Sequence, residues 1–325
     1  MLPEWTTRSG QQEANMNLNM LSSEVSLGKL QKVLKEVLLP VRCVVEVLST
    51  VLDLVTHLLG RVLGSSLVRR HLHLLLSGMV LFGPLLSLWV STYNIFANSN
   101  HFLYRKFLRS AWGWTCILTG SFILVLSLSA RRSLSLCLRH LSRLLLVGLL
   151  WWALRRLLTA LEDAAGTCYE PMPQDGDASG SSSNQPLLLL HEDQTKASCV
   201  RANMQWRGYE VSQDVLILCL CCLVMLEEIS VFKDHASPTE PLQKSPGAPL
   251  RVIFLLCTLL LAMWMFLLLC LLAHFTKFPA QQLGGALGCL AWRGLYQGWF
   301  RLKGRRFCPG MPGEGLLSTD DDKDV

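Results

Sequence analysis

Charge is scarce in this 325-residue sequence: 17% of residues are Asp, Glu, Lys or Arg, against 51% hydrophobic, and the formal net charge is +6. Soluble domains also reach about half apolar, so the clustering of apolar residues decides more than their total. The small positive balance suits basic cytoplasmic loops and does not argue for nucleic acid, which is not expected as a partner. No signal-peptide pattern opens the sequence: MLPEWTTRSGQQEANMN is polar, without a basic segment followed by an apolar core. An internal helix is therefore expected to start membrane insertion. A disulfide framework is also missing despite 12 cysteines, because Cys116, Cys219, Cys221, Cys222, Cys257, Cys270 and Cys289 lie inside apolar runs. There cysteine behaves as a small hydrophobe. The CLCC at 219–222 lacks the loop or nearby histidines that would complete a tetrahedral site, so no metal or cofactor is expected. No internal repeat or half-helix pair is apparent, which disfavours a transporter. The C-terminal STDDDKDV carries no clear retrieval signal.

What the sequence does have is long apolar runs. Residues 252–273, VIFLLCTLLLAMWMFLLLCLLA, contain no charge, proline or glycine and are bounded by Arg251 and by His274 and Lys277. At ~1.5 Å per helical residue this run reaches about 33 Å, enough to cross a hydrocarbon layer of roughly 30 Å. Further spans are expected at 74–93, 110–130 (opening with Trp112 and Trp114), 141–161, 211–229 and 283–300. The expected fold is all-α, a polytopic membrane bundle of six transmembrane helices. Residues 1–25 are polar and expected to be disordered. Over 26–65 apolar positions such as Leu30, Leu34, Val37, Val41, Val45 and Leu48 recur at helical spacing, opposite Lys32, Glu36, Arg42, Glu46 and Asp53. This predicts an amphipathic helix lying on the membrane surface or packed on protein. The membrane domain is then 66–300, followed by a tail at 301–325.

Lysine and arginine set the expected orientation. Arg61, Arg69, Arg70, Arg131, Arg132, Arg139, Arg143, Lys233, Lys244, Arg251, Arg301, Lys303, Arg305 and Arg306 fall on one side of a six-span path. Arg105, Lys106, Arg109, Lys196, Arg201, Arg207 and Lys277 fall on the other. The excess places both termini in the cytoplasm. The loop 162–210 is then luminal, with a flexible serine-rich insert at 179–184. It holds Cys168 and Cys199, which become candidates for a disulfide in an oxidising lumen. Charges inside the spans each need a partner or a purpose. Arg155 and Arg156 lie toward the luminal side, at a depth Asp214 can reach, and Arg293 lies nearer Glu227 and Glu228. They are candidates for binding lipid headgroups, with snorkelling or structural pairing as the alternative.

Several motifs occur in a specific order: FLYRKFLRSAWGWT (102–115), GTCYEP (166–171), WRGYEVS (206–212), MLEEISVF (225–232), FLLLC (266–270) and LAWRGLYQGWF (290–300). In these the sequence resembles the fat storage-inducing transmembrane family. HLSRLL (140–145) and GAPLRVIFLL (247–256) are similar to its muscle-type branch. The resemblance implies an endoplasmic reticulum protein that promotes lipid droplet formation and storage of triacylglycerol and diacylglycerol, with membrane and neutral lipids as its partners. It also implies a luminal lipid phosphatase or fatty acyl-CoA diphosphatase site built on two histidines. One follows GY-x-V-S-x and the other lies just past FLLLC. Here Asp214 and Thr276 stand at those places. A carboxylate is a poor partner for phosphate without a metal, and threonine lacks acid–base chemistry unless activated. His274 stands two residues earlier, turned by ~200° on a helix. The expectation is a protein that binds or partitions neutral lipid with the family's catalysis lost. The alternative is a working diphosphatase that uses Asp214 and His274 in an altered site.

Overall fold

A computed structural model describes residues 40, 42–90, 96, 98, 100–130, 133–171, 188–191, 196–208, 210–236, 247–275, 277–302 and 308–315. Residues 1–25, the insert 179–184 and Thr276 lie outside the described residues. The chain divides into two compact units, Met1–Thr56 and His57–Val325. The described part of the first is the beginning of α1 (Arg42–Leu63), a helix that is long and apolar enough to cross a membrane. Length and composition thus admit a span as well as the surface placement expected for this segment.

The larger unit is a helical bundle. α2 (Ser66–Phe82) follows Ser65, whose side chain accepts the Val68 N–H (3.3 Å), and it ends in a 3-10 turn, Gly83–Leu88, carrying Pro84. A π turn (Leu103–Phe107) and a 3-10 turn (Leu108–Ser110) lead into α3 (Ala111–Ala130), and α4 (Leu134–Ala165) returns beside it. After β1 (Thr167–Pro171), β2 (Leu188–His191), α5 (Lys196–Arg201) and β3 (Gln205–Arg207) come α6 (Gln213–Ile229) and the short α7 (Val231–Ala236). α8 (Ala248–His274) and α9 (Phe278–Trp292) close the bundle, each with a proline in its first turn, where the missing N–H has no helical partner to lose.

Six helices are long and apolar enough to span: α1, α2 with its 3-10 turn, α3 with its lead-in, α4, α6 extended to Lys233, and α8. The chain is a polytopic helical membrane bundle. The sequence runs coincide with five of these. The sixth expected span, 283–300, is helical but irregular: α9 passes at Arg293 into a π turn, Arg293–Gly298, and a 3-10 turn, Trp299–Arg301.

Connections alternate between the two ends of the bundle. Arg69, at the start of α2, pairs with Glu227 at the end of α6 (2.9 Å), while Gly83, past the other end of α2, lies against Leu272 of α8. α6 is the centre, with 94% of its span buried, and α9, α8, α3 and α2 all pack on it. α8 is buried over only 39% of its span although it is the more apolar of the two. Trp264 of α8 is fully buried and donates its indole N–H to Thr115 Oγ1 of α3 (3.1 Å).

The segment expected as a loop contains a small antiparallel sheet in the order β2-β1-β3. Cys168 pairs with His191 on one side and Trp206 on the other. β1 starts against Gly166, where an added side chain would collide with the Trp206 indole. Sequence reading missed these strands because each is shorter than the windows over which periodicity is legible.

Candidate functional site

A cavity of about 450 Å³ opens at the Asp214 end of the bundle. Its floor is built by helix ends. Ser212 caps α6, its hydroxyl accepting the Val215 N–H (3.4 Å), and its own N–H donates to the Ala280 carbonyl of α9 (2.9 Å). α8 stops at His274, and the break before α9 turns Phe275, Lys277, Ala280 and Gln281 toward the start of α6. The Gln281 amide donates to the Phe275 and Leu271 carbonyls (2.5 and 3.4 Å), satisfying acceptors that the end of α8 leaves open. Tyr104 and Leu108 line the wall from the lead-in to α3, and the Tyr104 hydroxyl donates to the Phe96 carbonyl (3.0 Å).

The charged groups lining the cavity are two lysines and three carboxylates. Lys196 pairs with Glu162. Lys277 donates to Glu210 (2.8 Å) and holds its carboxyl below the usual carboxylate range. Asp214 has no ion-pair partner within 4 Å among the described residues, and Arg155 is the cation whose field reaches it. The lining therefore carries an excess of one negative charge, and its two cations are already engaged.

The residues singled out by sequence separate into groups. Asp214 lines the cavity, whereas His274, half-buried at the end of α8, does not. Arg155 and Arg156 are exposed on α4, with Arg156 over the Trp152 ring at 5.7 Å. Arg293 is exposed in the π turn at the opposite end. It does not pair with Glu227 or Glu228, whose partners are Arg69 and Arg143. Among the described residues no group of His, Cys, Asp and Glu is arranged to hold a metal.

The structure joins Cys168 to Cys199, with Cα atoms 5.9 Å apart, tying β1 to α5 above the cavity. Maleimide labelling of the protein without reductant is expected to leave both unmodified, and labelling after reduction to modify both. Modification of the two before reduction would dismiss the bridge.

Sequence reasoning missed the cavity residues Tyr104, Glu162, Lys196 and Gln281, and also a buried cluster at the other end. There Arg143, with 1% of its side chain exposed, makes two hydrogen bonds to Glu228 (2.8 and 2.7 Å), and Tyr296 donates its hydroxyl to the same carboxylate (2.8 Å). The available signal was opposite charges inside two apolar runs at one depth: Arg143 in α4 and Glu228 in α6.

An apolar bundle with a polar cavity walled by helix ends defines a polytopic membrane protein with a candidate ligand site at one end. The family described as fat storage-inducing transmembrane protein matches residues 92–248. The sequence is 57% identical over 279 residues to fat storage-inducing transmembrane protein 1 of Danio rerio, covering 85% of this chain and 95% of the relative. To the Homo sapiens protein of the same name it is 41% identical over 258 residues, covering 79% and 82%. The chain belongs to the fat storage-inducing transmembrane protein family. It is also 29% identical over 217 residues to acyl-coenzyme A diphosphatase FITM2 of Danio rerio, covering 67% and 77%. No solved structure matches the chain.

Proposed function

We propose that this chain is an endoplasmic reticulum membrane protein that promotes lipid droplet formation and neutral-lipid storage by binding or partitioning lipid, without hydrolysis at its cavity. Both termini face the cytoplasm in this reading and the cavity faces the lumen, in keeping with the lysine and arginine distribution. One observation carries the proposal: no histidine is among the described lining residues, and Asp214 stands there at the place after GYEVSQ where the resemblance to the family implies a histidine. Phosphoanhydride cleavage by two side chains needs a nucleophile and a proton donor near neutral pH. The Ser212 hydroxyl is occupied as a helix cap and the Tyr104 hydroxyl as a donor to backbone. The surplus carboxylate opposes an incoming phosphate.

A second reading, hydrolysis of an acyl-CoA, is favoured by the relatives named acyl-coenzyme A diphosphatase. One assay decides between them. The purified full chain, given acyl-CoA or phosphatidate, is expected to release no phosphate-bearing product above background while retaining bound neutral lipid. Asp214→His alone is expected to stay silent, because members of a catalytic unit act together and the second position still holds Thr276. Robust cleavage by the unmodified protein, abolished by His274→Ala, would replace the binding reading with the enzymatic one.

A further inference from the structure

The segment leading into α3 has two faces. Tyr104 and Leu108 are buried and line the cavity, while Arg105, Lys106 and Arg109 point outward and are exposed. The register of α3 against α4 shows what lies beside these cations. A Cβ added at Gly148 would sit 3.0 Å from Trp112 Nε1, and one added at Gly120 would meet Leu141 and Leu144 at 3.7 and 3.9 Å. Residue 112 is therefore level with 148, and 120 with 141–144, in an antiparallel pair. Followed back through the 3-10 and π turns of the lead-in, at an average of ~1.5 Å per residue, this register sets Arg109 near the level of Trp152 and Arg105 near that of Arg156.

Five exposed cations thus lie near one level of the bundle, and none forms an ion pair within 4 Å among the described residues. Arg155 acts on Asp214 only from beyond that distance. Of the other described carboxylates at this end, Glu162 is taken by Lys196 and Glu210 by Lys277. Asp163 sits two helical turns past Arg155 and Arg156, ~11 Å along the axis. Aromatic rings mark the same level. Trp114 is stacked on Phe107 (5.5 Å), Phe102 packs edge-on to Phe107 (5.8 Å), and Trp152 lies under Arg156. Phe102, Trp114 and Trp152 are all exposed. Exposed aromatics beside cations are the signature of headgroup depth in a bilayer. Unpaired cations at that depth are stable where an anion meets them.

We propose that Arg105, Lys106, Arg109, Arg155 and Arg156 form a belt that binds the phosphates of anionic phospholipid headgroups in the leaflet on the cavity side. A zwitterionic headgroup brings its own cation and neutralises none of the belt's charge, whereas an anionic one does. The site rests on the membrane-spanning bundle and not on what happens in the cavity, so it stands or falls apart from the proposed function. Because the other face of 103–110 walls the cavity, headgroups held here are positioned beside its side wall.

The test uses the full chain reconstituted in nanodiscs of equimolar phosphatidylcholine and phosphatidylserine, with retained lipid counted by native mass spectrometry. Phosphatidylserine is expected to be enriched. Arg105→Gln with Arg109→Gln is expected to reduce the enrichment by roughly twenty-five-fold, about five-fold per cation. Arg155→Gln with Arg156→Gln, a second route should the first variant fail to fold, is expected to do the same. Arg105→Lys with Arg109→Lys keeps the charge and should keep most of the enrichment, and Arg301→Gln, at an exposed position of the opposite end, should leave it unchanged. Equal retention of the two lipids by the unmodified chain, or an equal loss in Arg301→Gln, would overturn the proposal. So would displacement of phosphatidylserine by inorganic phosphate, which would make the belt a free-phosphate site.

Discussion

Glu228→Leu is expected to destabilise the bundle by roughly 3–5 kcal/mol, because it strands a buried guanidinium. Arg143 is anchored almost entirely by Glu228: its Nε and one terminal nitrogen each donate to a carboxylate oxygen, at 2.8 and 2.7 Å, and both side chains are 1% exposed. Its other terminal nitrogen lies 2.6 Å from His140 Nδ1 and 3.3 Å from the Met311 carbonyl. An arginine only donates, so Nδ1 accepts and the ring proton sits on Nε2. None of these neutral acceptors replaces the lost charge. Arg143→Met combined with Glu228→Leu removes both charges and is expected to recover most of the loss, as apolar replacement of a buried pair commonly does. Thermal unfolding of the purified protein in detergent, followed by size-exclusion, reads the difference. If Glu228→Leu melts no lower than the double variant, the pair does not hold this end together. The same change is expected to release 308–315, which Arg139 and Arg143 hold through the Pro309 carbonyl (3.0 Å), the Met311 carbonyl and Glu314 (3.8 Å). Earlier proteolytic cleavage of the C-terminal segment would report it.

Gly284→Val with Gly288→Val is expected to separate α9 from α6, at a combined cost of roughly 2–6 kcal/mol from overpacking. The two glycines stand one turn apart and face α6 backbone. A Cβ at Gly288 would lie 2.9 Å from the Leu216 carbonyl oxygen and 3.1 Å from the Cys219 Cβ, and one at Gly284 would collide with the Ser212 carbonyl. Backbone cannot swing aside as a long side chain can, so the helices must part. Between helices in lipid, attraction comes from close contact, and small residues four apart are what permit it. The damage should reach the cavity, because Ala280 and Gln281 precede Gly284 on the same helix and line it. Fluorescence-detected size-exclusion and trypsin resistance are the readouts, with a single Gly288→Ala expected to fall between. A double variant that elutes and resists trypsin like the unmodified protein would mean that α6 and α9 are in loose contact.

Asp214 stood out in the sequence as a carboxylate following GYEVSQ, and it lines the cavity. His274 was legible only as a nearby imidazole, and the end of α8 keeps it off that surface. Lys196, Glu162 and Tyr104 were not legible, since they come from a short helix, the end of a long one and a distorted turn far apart in the chain. Arg143 looked like a loop cation contributing to orientation. It is an interior residue because α4 begins at Leu134 and carries it past the bundle's edge.

The sequence by itself determined that this is a helical membrane protein. Runs of apolar residues long enough to cross a hydrocarbon layer leave the backbone few ways to satisfy its hydrogen bonds other than helix. It also determined the order of the motifs and that Asp214 follows GYEVSQ and Thr276 lies past FLLLC. Only the tertiary structure decided which helix is central. Lipid tails are as apolar as a protein core, so hydropathy does not distinguish the less buried α8 from the central α6. Only tertiary structure, likewise, brought Arg143 to Glu228 across 85 residues of sequence, and set the cations of the lead-in to α3 beside those of α4. Those meetings depend on helix register, which no local pattern in the chain encodes.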